Sequence, residues 1–565
     1  MVRKQPFYAS GLLSTSKPEQ KEVEHRETAI EQISSFVAFF IYLLVLKSYL
    51  LPLFIIPTGS MAETLYGAHA KHVCPNCGVE YPVGMPLASV PVIQCPNCRW
   101  REFCESAAVP RSWLPRLQEL GARVDGITGP LHERAGDRIM VHGWTYEWGG
   151  RLEPQRWDVA VFKVPSDGHT NYIKRLIGKP GETIEIIDGD IFFTDPETGE
   201  TAIARKPRHV QETLWFRYYD HDYLPRRPAP SAAYHPRWVP RPNDVGWSAL
   251  DARRPVFDGL GGQRGEIQFV TSLGAARQPG EIADIYGYDR VYAEQYLGQK
   301  VDRVVPVQHA TVTDVRLSTV VTFQEVGEDG YVELAASKYG SEFYARLYGD
   351  GRLTLERAPW SGGARELWGS VALPSLAEPV RLALSNVDYV VSIEVDGEPV
   401  LASTSEQYGI TAAQARERLS RKVAPRLRVA AENVKATFAH LLIERDVHYL
   451  DPGHRRGGAV GYGGMGNPIT LGPDEYYVLG DNSPSSLDSR FSFANREDEA
   501  VGAHLRPAFR RGEYRLGTVP ADQLIGPAFL VYWPGTAELV PDHMLPRPLR
   551  LLNQLPTPGG IRWIH

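Results

Sequence analysis

Residues 171–193 read NYIKRLIGKPGETIEIIDGDIFF and contain the clearest fold signal in the chain. In TIEIIDGDIFF, Asp188 and Gly189 separate two runs rich in β-branched and aromatic residues, which is the usual signal for a type I′ hairpin turn. The preceding run, NYIKRLIG, predicts another strand. Side chains alternate between the two faces of a strand, so Tyr172 and Lys174 share one face with apolar neighbours. We therefore expect a β structure here, with Lys174 flanked by apolar neighbours along its own strand face.

Lys174 is a candidate general base. Desolvation by apolar neighbours disfavours an ammonium group and lowers the pKa of a lysine. A neutral amine can then accept a proton from a serine hydroxyl. The alternative is a surface lysine on an edge strand, since most lysines are exposed. The strand pattern alone leaves both interpretations open.

Residues 55–65, IIPTGSMAETL, contain a candidate nucleophile, Ser60. Pro, Thr, Gly and Ser are loop formers, so the ordinary interpretation is a turn at which the preceding apolar run ends. A nucleophilic serine needs a base, and no obvious Ser–His–Asp set is present although the chain has 16 histidines. The distant Lys174 is the partner that would make Ser60 reactive.

Length and composition restrict the class of protein. A chain of 565 residues is too long for a single hydrophobic core. This length predicts roughly three or four domains or large insertions. The formal net charge of −6, with 23% charged residues, argues against a nucleic-acid partner held by net charge. An apolar content of 43% is typical of a globular protein rather than a polytopic membrane protein.

One segment is long and apolar enough to cross a membrane. Residues 33–53 read ISSFVAFFIYLLVLKSYLLPL, and these 21 residues match the ~20 that a spanning helix needs. Lys47, near the end of the segment, can reach the interface with its long side chain. One alternative is a buried globular helix. Another is a cleaved signal peptide, which fits poorly because no small-x-small site follows.

The basic residues predict the orientation of this segment. Five Lys or Arg residues precede it, whereas the first one after it is Lys71. By the positive-inside rule the N-terminus lies in the cytoplasm. Residues after Ile56 should then lie in the periplasm or an equivalent space, with Ser60 just outside the membrane surface.

The chain after this segment is mostly β. Between residues 307 and 447, EFYARLYGDGRLTLERA and YVVSIEVDGEPVLAST combine strand patterns with closely spaced turns, which predicts an antiparallel β-sandwich. Residues 194–306 are rich in Arg, Pro, Trp and Tyr with little periodicity, and predict a loop-rich insertion. The predicted fold class is mainly β, behind a single N-terminal transmembrane helix.

Two CPNC sequences, separated by 17 residues, predict a metal site. The four thiolates of Cys74, Cys77, Cys95 and Cys98 suit a tetrahedral zinc ion in a zinc ribbon. Four sulfur ligands leave no open position, so the zinc would be structural. The alternative is two disulfides, because the predicted compartment is not reducing.

The motifs occur in a recognisable order: IPTGSM after a membrane helix, GDRIMV, RWDVAVFKVPSDGHTNYIKRLIGKPGE and GDNSPSSLDSR. In this order they resemble type I signal peptidase, a membrane-anchored Ser/Lys endopeptidase of the peptidase S26 family. The resemblance covers residues 50–66, 136–193 and 470–535. The other residues are insertions or tails relative to the family core.

The resemblance implies a role for each matching residue. Ser60 would be the nucleophile and Lys174 the general base, with the Ser60 N–H and the Thr58 hydroxyl as the oxyanion hole. Ser486 would hydrogen-bond and orient the lysine. The support residues would be Asp481, Asp488 and Arg490. The residues that match the substrate pockets, which accept small side chains at positions −1 and −3, are Phe54, Ile56, Met61, Leu65, Ile139, Val161, Tyr172 and Ile173.

Two positions depart from the family pattern. Glu63 stands where the family usually has Pro before Thr–Leu, and Ser483 follows the GDN turn where Arg is common. Neither position carries chemistry in the family. The inserted sandwich has a looser resemblance, to concanavalin- and laminin-G-like modules, in VRLALSNVDYVVSIEVDGEPVLAST. Such modules often bind glycans or proteins, and many only scaffold.

The resemblance also implies a domain organisation. The predicted segments are a cytoplasmic tail at 1–30, a transmembrane helix at 31–53, a catalytic core at 54–66, 136–193 and 448–540, a zinc-ribbon insertion at 67–135, a loop-rich insertion at 194–306, a β-sandwich insertion at 307–447 and a C-terminal tail at 541–565.

The function that the resemblance implies is removal of signal peptides from secretory preproteins at the bacterial inner membrane. The enzyme would be a single-pass protein in the lipid bilayer, with its catalytic domain on the periplasmic or outer side and no cofactor in catalysis. We expect no nucleic-acid partner, and a glycan or protein is the candidate ligand of the sandwich. The alternatives are an inactive peptidase scaffold that binds through its insertions and a self-cleaving repressor-type peptidase, which the membrane segment disfavours.

Overall fold

A computed structural model of the chain describes residues 29–86, 91–106, 109–227, 237–271, 281–289, 291–297, 300–360, 362–420, 422–452, 461–494, 499–535 and 561–565. The chain divides into two compact units, Met1–Leu50 and Leu51–His565. The predicted tail at 1–30 lies almost entirely outside the described residues, and so does most of the predicted tail at 541–565.

The described part of the first unit is one apolar helix. It runs as an α-helix over Ala29–Val45 and as a π-helix over Leu46–Leu50. The span Ile30–Leu50 is 21 residues long and apolar enough to cross a membrane. The predicted helix extended to Leu53, and this bound is wrong because Pro52 has no N–H and disfavours helical geometry in the preceding residue.

An eight-stranded antiparallel sheet, here called the core sheet, contains the strand that carries Lys174 and the short strand that precedes the Ser60 segment. Its strands lie in the order Leu53–Ile55, Arg138–Val141, Leu524–Trp533, Val159–Lys163, Asn171–Gly178, Glu475–Leu479 and Val519–Pro520, with Arg562–Trp563 beside Leu524–Trp533.

The strand that carries Lys174, Asn171–Gly178, is an interior strand. It pairs with Val159–Lys163 on one side, where Lys174 lies opposite Ala160, and with Glu475–Leu479 on the other. Its residues from Ile173 onward are buried, as expected when both edges and both faces are covered. The alternative of a surface lysine on an edge strand is therefore wrong.

The predicted hairpin follows this strand. Thr183–Ile187 pairs with Asp190–Thr194, and Ile187 lies opposite Asp190. Asp188 and Gly189 form the two-residue turn with φ of 54° and 90°, and positive φ at both positions is the mark of type I′. Thr201–Ile203 and Ile469–Thr470 complete a four-stranded sheet.

The largest sheet forms the predicted sandwich. It has thirteen strands: Phe216–Asp220, Arg237–Pro240, Trp247–Ser248, Val256–Asp258, Arg264–Val270, Val315–Lys338, Ser341–Tyr348, Arg352–Pro359, Glu366–Ala372, Val380–Val387, Val390–Val395, Glu398–Ala402 and Leu427–Arg445. One large apolar cluster fills its interior.

Five strands of this sheet come from residues 194–306, which the sequence predicted to be loop-rich. They are two to seven residues long, and three of them pair directly with the long strand Leu427–Arg445. Short segments without alternating hydrophobicity form strands here because they pair with a distant partner. The local sequence carries no signal of that pairing. The domain bounds themselves stay a prediction.

The remaining elements are short. Small sheets pair His69–Val73 with Glu80–Gly84, Val92–Gln94 with Arg101–Cys104 and Gly126–Thr128, and Tyr292–Leu297 with Lys300–Pro306. The short α-helices are Leu114–Glu119, Arg208–Thr213, Ser405–Tyr408, Ala412–Leu419 and Arg506–Arg511, and the 3₁₀ turns are Arg111–Trp113, Gly150–Leu152, Ser483–Ser485, Ser489–Phe491 and Ala521–Gln523.

Candidate active site

The two candidate chemical groups meet at the core sheet. Lys174 Nζ donates a hydrogen bond to Ser60 Oγ over 2.5 Å, although 114 residues separate them in sequence. Only 3% of Lys174 is exposed, whereas Ser60 is half-buried and accessible. The arrangement places an accessible hydroxyl beside a buried amine, as a nucleophile and its base would require.

Burial controls the protonation of the lysine. Desolvation lowers the pKa of Lys174 from 10.5 to about 8. The carboxylates of Asp488 and Asp481 oppose this lowering of the pKa, and the Arg490 guanidinium reinforces it. A substantial fraction of the amine is therefore neutral near pH 8, as a general base requires.

Asn482 holds the backbone on both sides of the nucleophile. Its N–H donates to the Ser60 carbonyl over 3.1 Å, and its side-chain Nδ2 donates to the Gly59 carbonyl over 3.1 Å. The Gly59 carbonyl also accepts from the Ala62 N–H over 3.0 Å, which closes a tight turn. The sequence analysis did not single out Asn482, although it lies in the quoted GDN motif.

Asp137 is a second residue that the sequence analysis missed. Its carbonyl accepts from the Ile56 N–H over 2.9 Å, and its buried carboxylate accepts from the Tyr66 N–H over 3.1 Å and from Arg562 Nη2 over 2.8 Å. These bonds hold both ends of the loop at 56–66 that contains Ser60, here called the nucleophile loop after the predicted role of Ser60. The sequence feature that could have identified Asp137 is its position in GDRIMV, one of the motifs that carry the resemblance.

Asp481 forms a fully buried ion pair. Its carboxylate accepts two hydrogen bonds from Arg175, both over 2.8 Å, and neither side chain is exposed. Thr64 Oγ1 also donates to Asp481 over 2.7 Å. A bidentate pair of this kind fixes geometry, so Asp481 ties the nucleophile loop to the opposite face of the Lys174 strand.

Asp488 and Arg490 form a second buried pair. Arg490 donates to the Asp488 carboxylate over 2.9 and 2.8 Å, and the Gly480 N–H donates to it over 3.0 Å. Burial raises the pKa of Asp488, but these partners hold it below its usual value. Ser483 Oγ, at one of the positions that depart from the family, accepts from Arg490 over 2.7 Å.

Ser486 lies at the site, but without its predicted hydrogen bond. It is fully buried, and no hydrogen bond joins its Oγ to Lys174 in the described part of the chain. Its hydroxyl lies near Asp488 instead and helps to lower the pKa of that carboxyl. Gly480 leaves room for this hydroxyl, since a Cβ there would lie 2.2 Å from Ser486 Oγ.

Thr58 lies on the exposed part of the nucleophile loop, two residues before Ser60. Its exposure leaves the hydroxyl accessible to a substrate carbonyl. Its role in an oxyanion hole stays a prediction.

Seven of the eight predicted pocket residues gather in one apolar cluster of the core sheet. They are Phe54, Ile56, Met61, Leu65, Ile139, Val161 and Ile173. Met61, Leu65 and Ile139 have no exposed surface, so they form the packed base of the cluster. Tyr172 packs beside Phe162 and Val478 instead. That these residues line substrate pockets stays a prediction.

The four predicted metal ligands also converge. The Sγ atoms of Cys74, Cys77, Cys95 and Cys98 all lie within 4.8 Å of one another, and all four thiols are free. The Cys74–Cys98 and Cys77–Cys95 Sγ pairs are 3.6 Å apart. A tetrahedron with Zn–S bonds of ~2.3 Å has edges of about 3.8 Å, so the donor set fits zinc.

The CPNC turns are also docked on a distant segment. Asn76 Nδ2 donates to the Arg227 carbonyl over 2.9 Å, and Asn97 Nδ2 donates to the Tyr223 carbonyl over 2.8 Å. His72, which is near in sequence, bonds Glu102 over 2.7 Å and is not a ligand in this cluster. The asparagines of the two CPNC turns thus connect the ribbon to residues 223–227.

A family model described as signal peptidase, peptidase S26, matches residues 131–226 and 427–533. The predicted resemblance to type I signal peptidase is confirmed. The matched segments, here called the S26 region, include Lys174 and four residues with a predicted supporting role, Asp481, Ser486, Asp488 and Arg490. Ser60 and Thr58 precede the S26 region.

Curated relatives extend this similarity over short stretches. Signal peptidase I of Rickettsia canadensis (strain McKiel) is 45% identical over 69 residues, which are 11% of this chain and 26% of that protein. Signal peptidase I of Rickettsia akari (strain Hartford) is 45% identical over 52 residues, 9% of this chain and 20% of that protein. The chain thus spans about a quarter or less of these relatives' length.

Solved structures align over the chain with low scores. The carbohydrate binding module CBM66 from Bacillus subtilis covers 37% of this chain and 94% of its own length at 11% identity, with a TM-score of 0.22. Apo Crh5 transglycosylase covers 38% of this chain and 85% of its own length at 8% identity, with a TM-score of 0.24.

Proposed function

We propose that this chain is a membrane-anchored serine endopeptidase that removes signal peptides from secretory preproteins with a Ser60–Lys174 dyad. The observation that carries the proposal is the 2.5 Å hydrogen bond between a buried Lys174 amine and the half-buried Ser60 hydroxyl. The similarity of the S26 region to signal peptidase I supports the reaction class.

The dyad would act by acyl transfer. Neutral Lys174 accepts the Ser60 proton as Ser60 Oγ forms a bond to the scissile carbonyl carbon. The Ser60 N–H and Thr58 hydroxyl stabilise the resulting oxyanion. The Lys174 ammonium then gives its proton to the leaving amine as the C–N bond breaks, and a water deprotonated by Lys174 hydrolyses the acyl-enzyme.

The substrate follows from the same resemblance. The family cleaves after small residues at −1 and −3, which enter shallow apolar pockets. Here the apolar cluster of the core sheet lies beside the nucleophile loop and supplies Met61 and Ile173. We propose that its edge receives those small side chains.

The membrane segment would anchor the enzyme near its substrate. Ile30–Leu50 has the length of a single span, and the excess of basic residues before it supports an N-terminus in the cytoplasm. In sequence, Ser60 follows the helix by ten residues. The catalytic unit would therefore act on the periplasmic or outer side, close to the bilayer.

The thiol cluster would hold structural zinc. Four thiolates at Cys74, Cys77, Cys95 and Cys98 complete a tetrahedral shell, so the ion would stabilise the ribbon and take no part in catalysis. A glycan or protein ligand for the sandwich stays a prediction from the looser resemblance.

Cleavage of a purified preprotein in detergent tests the proposal. The full chain should release the signal peptide, and Ser60→Ala and Lys174→Ala should each lower kcat by about 10⁴-fold or more. Ser420→Ala, which changes an exposed serine of the sandwich insertion, is the matched control and should remain active. Equal activity of wild type and both dyad variants would overturn the proposal.

A further inference from the structure

Four inserted residues, Tyr286–Gly287–Tyr288–Asp289, lie against the nucleophile loop. They belong to the predicted insertion at 194–306 and fall between the two segments of the S26 region, 131–226 and 427–533. The similarity to signal peptidase therefore assigns them no role. Their contacts with the active-site loops nevertheless are direct.

Asp289 accepts a hydrogen bond from Asn482, the side chain that is bonded to the nucleophile loop. Asn482 Nδ2 donates to Asp289 Oδ1 over 2.8 Å and to the Gly59 carbonyl over 3.1 Å. A side-chain amide has two N–H bonds, so one nitrogen can serve both acceptors. Without Asp289 the Asn482 amide would lose the contact that fixes its direction.

Tyr288 covers the other side of the same loop. A Cβ at Gly59 would lie 1.8 Å from the Tyr288 ring, so the ring fills the space that a side chain at Gly59 would need. The Tyr288 hydroxyl donates to the Ala68 carbonyl over 2.8 Å, beyond the nucleophile turn. Tyr286 adds a hydrogen bond to the Asp481 carbonyl over 3.1 Å.

The direction of the Gly59 carbonyl matters for chemistry. The Gly59 C=O and the Ser60 N–H belong to one planar trans peptide and point in opposite directions. Asn482, by fixing the carbonyl, also fixes where the Ser60 N–H points. In the proposed function, that N–H is one of the two oxyanion donors.

We propose that Asp289 is a positioning residue, which orients the Ser60 peptide through Asn482 while the Tyr288 ring blocks its rotation. This inference rests on the proposed function, since it assigns support to the same nucleophile. The insertion is then part of the catalytic apparatus and not an appended module.

Steady-state cleavage by Asp289 variants tests the inference. Asp289→Ala should lower kcat by about 10- to 100-fold, as expected for a displaced oxyanion donor, and leave KM within about twofold. Asp289→Asn keeps an oxygen that accepts the Asn482 bond and should restore most of kcat. If Asp289→Ala does not fold, Asp289→Glu, which displaces the carboxylate by one methylene, replaces it with the same expectation.

Asp284 provides the matched control. Its buried carboxylate lies in the same inserted segment and accepts the Ala310 N–H over 2.7 Å, away from the nucleophile loop. Asp284→Asn should leave kcat unchanged. A kcat for Asp289→Ala equal to that of wild type, or a kcat for Asp289→Asn as low as that of Asp289→Ala, would overturn the inference.

Hydrogen–deuterium exchange separates this inference from the proposed function. If wild type shows no Ser60-dependent cleavage, the proposed function fails, but the positioning of the loop can still be measured. Asp289→Ala should speed exchange at least about tenfold in peptides that cover residues 57–65 and 480–485, where the Ala62 and Asn482 amides bond to the turn. Unchanged exchange in those peptides would refute the positioning role.

Discussion

The protonation of Lys174 sets how the proposed peptidase should respond to pH. A lysine at the ordinary pKa of 10.5 is only about 0.03% neutral at pH 7, whereas one with a pKa of about 8 is about 9% neutral. Burial therefore increases the reactive form about 300-fold at pH 7, equivalent to about 3 kcal/mol. Because the active form is the neutral amine, kcat/KM should rise about tenfold per pH unit below 8 and level off above it.

The assay is initial-rate cleavage of a preprotein between pH 5.5 and 9.5, with folding followed by circular dichroism at each pH. Lys174→Arg is the informative variant, because a guanidinium stays protonated throughout and cannot act as a base. It should be inactive at every pH. A wild-type midpoint near 10, or a flat profile, would show that a buried Lys174 is not the base.

Three further predictions test other parts of the site. Thr58→Val should lower kcat by about 10²–10³-fold while Thr58→Ser retains it, and equal rates would exclude Thr58 from the oxyanion hole. Cys98→Ser should reduce bound zinc from one ion per chain and lower the unfolding temperature, whereas intramolecular disulfides in the non-reduced wild type would contradict the zinc assignment. Lys174→Met should raise the free energy of unfolding at pH 7, because the folded-state pKa of about 8 lies below the unfolded value and the buried ammonium is penalised below pH 8. That gain should shrink by about 3 kcal/mol by pH 10.5, and a gain independent of pH, measured by denaturant unfolding, would contradict it.

Local patterns predicted the parts of the fold that depend on neighbouring residues. The Asp188–Gly189 turn was predictable because type I′ geometry needs positive φ at two adjacent positions. The strand that carries Lys174 was predictable from its sequence, whereas the burial of Lys174 was not, because it depends on the two distant strands that pair on either side. The CPNC pairs likewise carry their ligand geometry within four residues.

Contacts across long sequence separations had no such signal. Asp289 lies in a segment that the sequence predicts to be loop-rich. Its proposed positioning role depends on a hydrogen bond with the distant Asn482, and no local periodicity signals that bond. The motif that contains Ser486 could be recognised from the sequence, but which group its hydroxyl contacts depends on the packing around Lys174 and Asp488. The end of the membrane helix was overestimated because hydropathy does not register that Pro52 interrupts helical hydrogen bonding.

The bond between Asn482 and Gly59 joins residues 423 positions apart. A ribosome that adds about 5–20 residues per second needs roughly 20–80 s to pass from one to the other. Throughout that interval the nascent chain carries its serine without the amide that holds it. The Ser60 loop therefore gains this support only after residue 482 has been made, and a product that terminated earlier would carry Ser60 without the amide that orients its peptide.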